Sequence, residues 1–230
     1  MRLHVFPPSP RAIKVLAVCN YLEIECEVQV MDYFRKDQRK PAFARINPNR
    51  RMPVLEDDDF VLWESNAILL YLASKKPEAG LWPASAREQA DVLRWLSWES
   101  AHWARAIGIL LDERVKKGLG LQAGERDERR IAQGVAEFAE LASILDAHLK
   151  GRSWLLDKKL TIADFSIACW LTTARHGGYE VDAYPEIAGW FGAIQRLPGW
   201  QAAARGSPPS ASPPWPTSLE QEPSLPSATS

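Results

Sequence analysis

Two serines in this sequence stand where a small hydroxyl could meet an anion. Ser9 lies in "FPPSPRA", after a short apolar run and ahead of a helical pattern, with Pro10 and Arg11 following. Ser65 lies in "LWESNAILLYL", where Glu64-Ser65-Asn66 ends a strand-like run and opens an apolar helix. The first turn of a helix has backbone N–H groups without intrahelical partners, and the aligned peptide dipoles favour negative charge there. A serine at that place offers its hydroxyl and its N–H to a carboxylate. Glu64 supplies the opposite sign, suited to an ammonium. Plainer uses compete with these. Ser9 is a good N-cap with proline at the first helical position, and Glu64-Ser65 can simply cap its helix.

"RMPVLEDDDFVLWESNA", residues 51–67, joins the second serine to a proline and a cation. Proline cannot donate a ladder hydrogen bond, so Pro53 suits only the start of a strand, and the Met52-Pro53 bond can be cis. Val54–Leu55 and Phe60–Trp63 then read as two short strands hinged by Asp57-Asp58-Asp59. Other nucleophile candidates are poorer. Cys19 falls deep in the first helix, ten residues past Ser9, and reads as core; Tyr21 is further still. His102 lies among Trp98 and Trp103 on a long helix, a cluster that reads first as packing.

Other elements must hold these residues in place. The chain has 230 residues, enough for one large domain or two small ones, with 46% hydrophobic and 25% charged residues. A net charge of -1 gives no electrostatic case for nucleic acid or an anionic membrane as partner. Cys19, Cys26 and Cys169 have neither CxxC nor metal-like spacing, which favours free thiols in a reducing compartment and no metal. No run reaches a membrane span and no signal peptide is evident, so a cytoplasmic location is expected.

Strands and helices alternate up to about residue 76. Leu3–Phe6 and Glu27–Met31 read as strands, Arg11–Leu22 as a helix, and Pro41–Ile46 as a short helix or turn, ahead of the hairpin and a helix ending near Ser74. That β-α-β-(α)-β-β-α order is the order of a thioredoxin-like α/β domain, with parallel pairing around the first helix. A Pro/Gly-bearing stretch comes next, with the linker placed at 77–86. Residues 87–205 read as an all-α helical bundle domain, with helical patterns over 86–117 and 127–150 and a last amphipathic helix through Ile187, Trp190, Phe191 and Ile194. Thr161-x-x-Asp164 is a capping-box variant opening a helix that is apolar nearly all round and belongs at the bundle centre. Residues 206–230, dense in Pro and Ser, read as a disordered or polyproline-like tail.

Three pieces in this order resemble the glutathione S-transferase family. "INPNRRMPVLEDDDFVLWESNAILLYLA" (46–73) resembles its strand-3-to-helix-3 signature, "LTIADFSIA" (160–168) its capped core helix, and "SPRAIKV" (9–15) the start of helix 1 in the serine-type, bacterial-like cytosolic classes. The resemblance runs from Leu3 to about Arg205. It implies glutathione as co-substrate, with Glu64 and Ser65 at its γ-glutamyl end and the Met52 backbone beside Pro53 pairing with the cysteinyl part, as an added strand would. Arg51, with Gln38 and Lys40, is then positioned for the glycyl carboxylate. Ser9 is implied as the catalytic donor to the sulfur, with Arg11 adding positive potential. Arg11, His102 and Trp103 are candidates for the second-substrate pocket.

The activity so implied is thiolate attack on an apolar, electrophilic second substrate, as in detoxification, by a homodimer. "FPPSP" crowds Ser9 with prolines that can aim it or turn it away. Two rivals stand beside this reading. One is a glutathione-binding or scaffold protein of the same fold without turnover. The other is thioredoxin-type redox exchange, against which the lack of CxxC argues.

Overall fold

The computed structural model describes residues 1–204, so the expected Pro/Ser-rich tail lies outside the described residues. Its first half holds four strands, β1 (Arg2–Val5), β2 (Glu27–Val30), β3 (Val54–Asp57) and β4 (Phe60–Trp63), in sheet order β2-β1-β3-β4. β1 runs parallel to β2 and antiparallel to β3, and β3 is antiparallel to β4. The parallel pair requires a crossover, which is α1 (Pro10–Tyr21). Leu3 and Val5 of β1 alternate inward to zero exposure and meet Val15 and Val18 of α1 in the core. The hairpin turn carries Asp58 at φ 53, a left-handed position that aspartate tolerates better than most residues.

A short helix α2 (Pro41–Ile46) precedes the cis Met52-Pro53 bond, and α3 (Ser65–Lys75) comes after the hairpin. Tyr71 and Lys75 of α3 both hold Asp57, at 2.6 and 2.8 Å, pinning the helix to the hairpin. This is the α/β thioredoxin-like half read from the sequence.

Among the described residues, the elements after the 3-10 turn at Pro77–Ala79 are helices, with two isolated β-bridges (Trp154 with Asp157 and Leu156 with Lys159) ahead of the seventh, and this is the all-α half. α4 (Ala86–Trp98) and α5 (Ala104–Leu111) belong to one continuous helical run, interrupted by a π-helical turn at Glu99–Trp103 and ended by another at Asp112–Lys116. α6 (Glu128–Leu149) packs against α5. α7 (Ile162–Leu171) is buried at every residue, as its all-round apolar pattern predicts. Thr161 and Asp164 close the capping box, and the Asp164 carboxylate also takes the Leu155 N–H at 2.9 Å and the Trp190 indole N–H at 3.0 Å.

A four-residue turn of helix, α8 (Ala174–Gly177), leads to α9 (Pro185–Gln195), and α10 (Pro198–Ala204) closes the described chain. The sequence pattern did not mark α10 as a helix of its own. It lies directly on α1, where Gly199 is required: a Cβ there would come within 2.6 Å of the Tyr21 backbone nitrogen. No described helix is long and apolar enough to cross a membrane.

Candidate active site

One cleft of about 1240 Å³ runs between the two halves. Ser9, Gln38, Arg51 and Met52 line it, and so do Pro53, Glu64, Ser65 and Arg11. Local structure explains each position. Ser9 stands at the N-cap of α1 in extended conformation, but its side chain makes no capping hydrogen bond. The capping reading therefore fails for its hydroxyl, while Pro10 does take the first helical position. The backbone alone turns the corner here: the Ser9 carbonyl accepts from Ala12 and Ile13 at 2.9 and 3.1 Å.

Glu64 is the N-cap of α3 at φ 73, ψ 112, and it too makes no side-chain cap. A left-handed φ in a non-glycine residue is strained and typically costs about 1–3 kcal/mol. Ser65 behind it is only 5% exposed, and the first-turn N–H groups of α3 have no intrahelical acceptors. Two helix N-termini, each with a serine and neither with a side-chain cap, therefore face one cleft. Both favour negative charge.

The remaining first-half wall is a loop held from within. Asn47, 2% exposed, donates to the Arg51 carbonyl at 2.7 Å and accepts from the Asn49 N–H at 3.0 Å. This fixes 47–51, whose Arg50 and Arg51 line the cleft together with Arg39. Gln38 is 7% exposed, and its Oε1 has no hydrogen-bond partner among the described residues. A buried polar atom without a partner carries a desolvation cost that a ligand's N–H would remove.

Three sequence candidates lie elsewhere. Lys40 turns away and pairs with Asp37 at 2.6 Å, and its neighbour Arg39 lines the cleft in its place. His102 is exposed off the cleft. Trp103 is fully buried and donates its indole N–H to the Ile167 carbonyl at 3.2 Å, which is the packing role. The second-half wall comes instead from Gly108, Leu111 and Val115, with Asp112 ion-paired to Lys116, and from Thr172, Thr173 and His176 after α7.

Behind the cleft lies a buried charge cluster that sequence reasoning missed. Lys14, fully buried in mid-α1, reaches Asn66 Oδ1 at 2.6 Å, Ser166 Oγ at 3.0 Å and Glu99 Oε2 at 3.5 Å. Asn66 donates to the same Glu99 oxygen at 2.8 Å, and Trp170 donates to the other at 2.6 Å. Burial alone would raise the pKa of Glu99. Lys14 overrides it, with Trp170 and Asn66 helping, and the carboxyl sits below its ordinary value. Arg11 completes the back wall, its guanidinium 4.7 Å from the Trp170 ring centroid. The signal for this cluster was a lysine between Ile13 and Val15 on a helix that must pack on both sides.

Family models described as "Glutathione S-transferase, N-terminal domain" and "Glutathione S-transferase, C-terminal domain" match residues 1–74 and 91–198. Glutathione S-transferase 3 of Zea mays is 32% identical over 214 residues, covering 90% of this chain and 95% of that protein. The chain belongs to the glutathione S-transferase family.

Within that family the matches extend past proteins named as transferases. Protein URE2 of Meyerozyma guilliermondii is 30% identical over 232 aligned residues, covering 86% of this chain and 77% of that protein. The solved structure "Ure2p in Complex with Glutathione" aligns with a TM-score of 0.80 at 26% identity, covering 89% of this chain and 92% of that one. Glutathione S-transferase family membership thus explains the thioredoxin-like half, the helical half and the cleft between them. Among the described residues, no group of three or more His, Cys, Asp or Glu side chains could hold a metal ion.

Proposed function

We propose that this family member is a serine-type glutathione transferase, which activates the glutathione thiol as a thiolate and presents it to an electrophile. The observation that best supports this is the meeting of two serine-bearing, side-chain-uncapped helix N-termini, at Ser9 and Ser65, in one cleft. Glu64 takes the ammonium of the γ-glutamyl end, and Ser65 with the α3 N-terminus takes its carboxylate. The Met52 backbone runs beside the cysteinyl part. Arg51 and Gln38, joined by Arg39 in place of Lys40, meet the glycyl end.

The Ser9 hydroxyl then donates to the sulfur. The thiol proton leaves to solvent, the sulfur lone pair attacks the electrophilic atom, and the leaving group departs with its electron pair. Leu111 and Val115 offer the electrophile an apolar bed, and the Asp112–Lys116 pair and His176 offer a polar end. The organisation proposed is a glutathione-binding domain over 1–76 and a second-substrate domain over 87–205. The large exposed apolar side chains fall in both halves: Phe60 and Trp63 on β4, and Leu93, Val135 and Ile144 on α4 and α6. They suit a homodimer that packs the first half of one subunit on the second half of the other, which sedimentation at twice the chain mass would support. The free thiols Cys19, Cys26 and Cys169 accord with a cytoplasmic location.

The test is Ser9→Ala. A hydrogen bond to a charged sulfur contributes on the order of 1.5–3 kcal/mol, so conjugation of an aryl halide should slow roughly ten- to hundred-fold. Glutathione affinity should change little. The thiolate absorbance of bound glutathione should shift to higher pH, and activity should partly return in alkaline buffer. Unchanged ionisation in the variant removes Ser9 from the mechanism.

A second reading, glutathione binding without turnover, is favoured by the match to Protein URE2 and by the likeness to the solved structure "Ure2p in Complex with Glutathione". Retention on immobilised glutathione, with no conjugation of any of several electrophiles, would select it.

A further inference from the structure

The cysteines have no part in the proposed transfer, yet two of them touch. Cys19 Sγ, near the end of α1, lies 3.7 Å from Cys26 Sγ, just ahead of β2. The turn between them holds this contact, with the Ile24 N–H donating to the Cys19 carbonyl at 2.9 Å and Glu23 at φ 52. Both thiols open on a second cavity of about 940 Å³, on the far end of α1 from Ser9. Pro198, Gly199 and Ala202 of α10 form its other wall.

The two thiols are unequal. Cys19 is 3% exposed, whereas Cys26 is half-buried and reachable from the cavity. The hydrogen bond between them lowers the Cys26 thiol below the ordinary cysteine value and raises the Cys19 thiol well above it. Thiolate character and access together make Cys26 the reactive member. Glu23, Glu25 and Glu27 ring the cavity, Glu27 being paired with Arg2 at 3.1 Å. Met1, whose amino group helps to lower the Cys26 thiol, also lines the wall. Glu23 and Glu25 still keep the rim acidic enough to disfavour a large anion such as glutathione disulfide against a small neutral oxidant.

We propose that Cys26 and Cys19 form a peroxide-responsive dithiol, in which a neutral hydroperoxide oxidises Cys26 and Cys19 resolves it as an intrachain disulfide. In the first step the Cys26 thiolate attacks one peroxide oxygen. The O–O bond breaks, a sulfenic acid forms, and the departing hydroxide takes a proton to become water. In the second step the Cys19 sulfur attacks the Cys26 sulfur. The S–O bond breaks, the oxygen leaves as a second water, and an S–S bond closes. Two thiols lose two electrons and two protons in all, and one hydrogen peroxide becomes two waters. Cys169 is an internal control: it is fully buried within α7, and burial pushes its thiol up to about 12.

The full chain is treated with hydrogen peroxide, then digested without reductant and mapped by mass spectrometry. A Cys19–Cys26 cross-link, reversed by dithiothreitol, with Cys169 still alkylatable, is the expected result. In Cys19→Ser, Cys26 should stop as a sulfenic acid that dimedone traps. In Cys26→Ser, peroxide consumption of Cys19 should slow at least about tenfold. Wild-type protein whose Cys26 passes to sulfinic acid without a cross-link overturns the proposal, and so does equal oxidation of Cys169. Glutathione disulfide at the same concentration should form the bridge more slowly, and an equal or faster rate overturns the choice of oxidant.

Discussion

Glu64 holds two demands in one residue. Its backbone sits at φ 73, where only glycine is at ease, and its carboxylate is assigned the ammonium of glutathione. Glu64→Gly separates the two. Relief of strain worth about 1–3 kcal/mol is set against the extra chain entropy of glycine, about 0.5–1 kcal/mol. The melting temperature should therefore hold or rise, while glutathione affinity measured by calorimetry falls roughly tenfold or more. A lower melting temperature would mean that the strain is not real. Such a residue was legible as a polar group at a helix start, but its left-handed backbone was not, because glutamate carries no local preference for it. Lys40 shows the reverse error. The resemblance offered it to the glycyl carboxylate, whereas its ammonium pairs locally with Asp37 and Arg39, which the sequence did not single out, lines the cleft.

At the scale of elements, the capping box of α7 and the hairpin turn transferred well from sequence, whereas the side-chain caps open to Ser9 and Glu64 did not form, and helical phase was not readable. The start of α7 was readable because a Thr-x-x-Asp box is a local device. Which face of the long second-half helix meets the cleft was not readable. The family resemblance put His102 and Trp103 there, but both fall inside the π turn at Glu99–Trp103, where the wider turn changes the helical phase. Gly108, Leu111 and Val115 take the face instead.

The α7 cap also hides more than a box. Asp164 serves Leu155, Thr161 and Trp190 at once while fully buried, and burial, ahead of those donors, raises its pKa from 3.8 to about 6. The folded chain thus binds a proton there more readily than the unfolded chain does. Its ionisation should subtract stability as pH rises from about 4 to about 6, and the loss should persist above that window. Urea unfolding of wild type and Asp164→Asn across those pH values checks the sign: the wild-type advantage should shrink as pH rises. A growing advantage would show that the donors outweigh burial. Thr161→Ala, which removes one hydroxyl, should cost about 0.5–2 kcal/mol.

Across the whole molecule, Lys14 is the rivet. It comes from α1, Asn66 from α3, Glu99 from the π turn after α4 and Ser166 from α7, so both halves meet on one buried ammonium. Lys14→Met leaves Glu99 buried and uncompensated, and should cost about 3–5 kcal/mol, whereas adding Glu99→Gln should recover much of it. Denaturant curves on the singles and the double decide whether the pair acts as a unit, since strictly additive losses would mean it does not.

The same cluster bears on how far the two halves are interchangeable parts. A chimera that takes its α/β half from a relative and keeps this helical bundle inherits Glu99 without any guarantee of Lys14. Such hybrids should fall into two groups, soluble where the donor half brings a cation to position 14 and insoluble where it brings an apolar residue. Grafting lysine at that single position should move a hybrid from the second group to the first. The seam between the halves is thus a lock with a key cut on each side, and the cleft they share should form only where both cuts match.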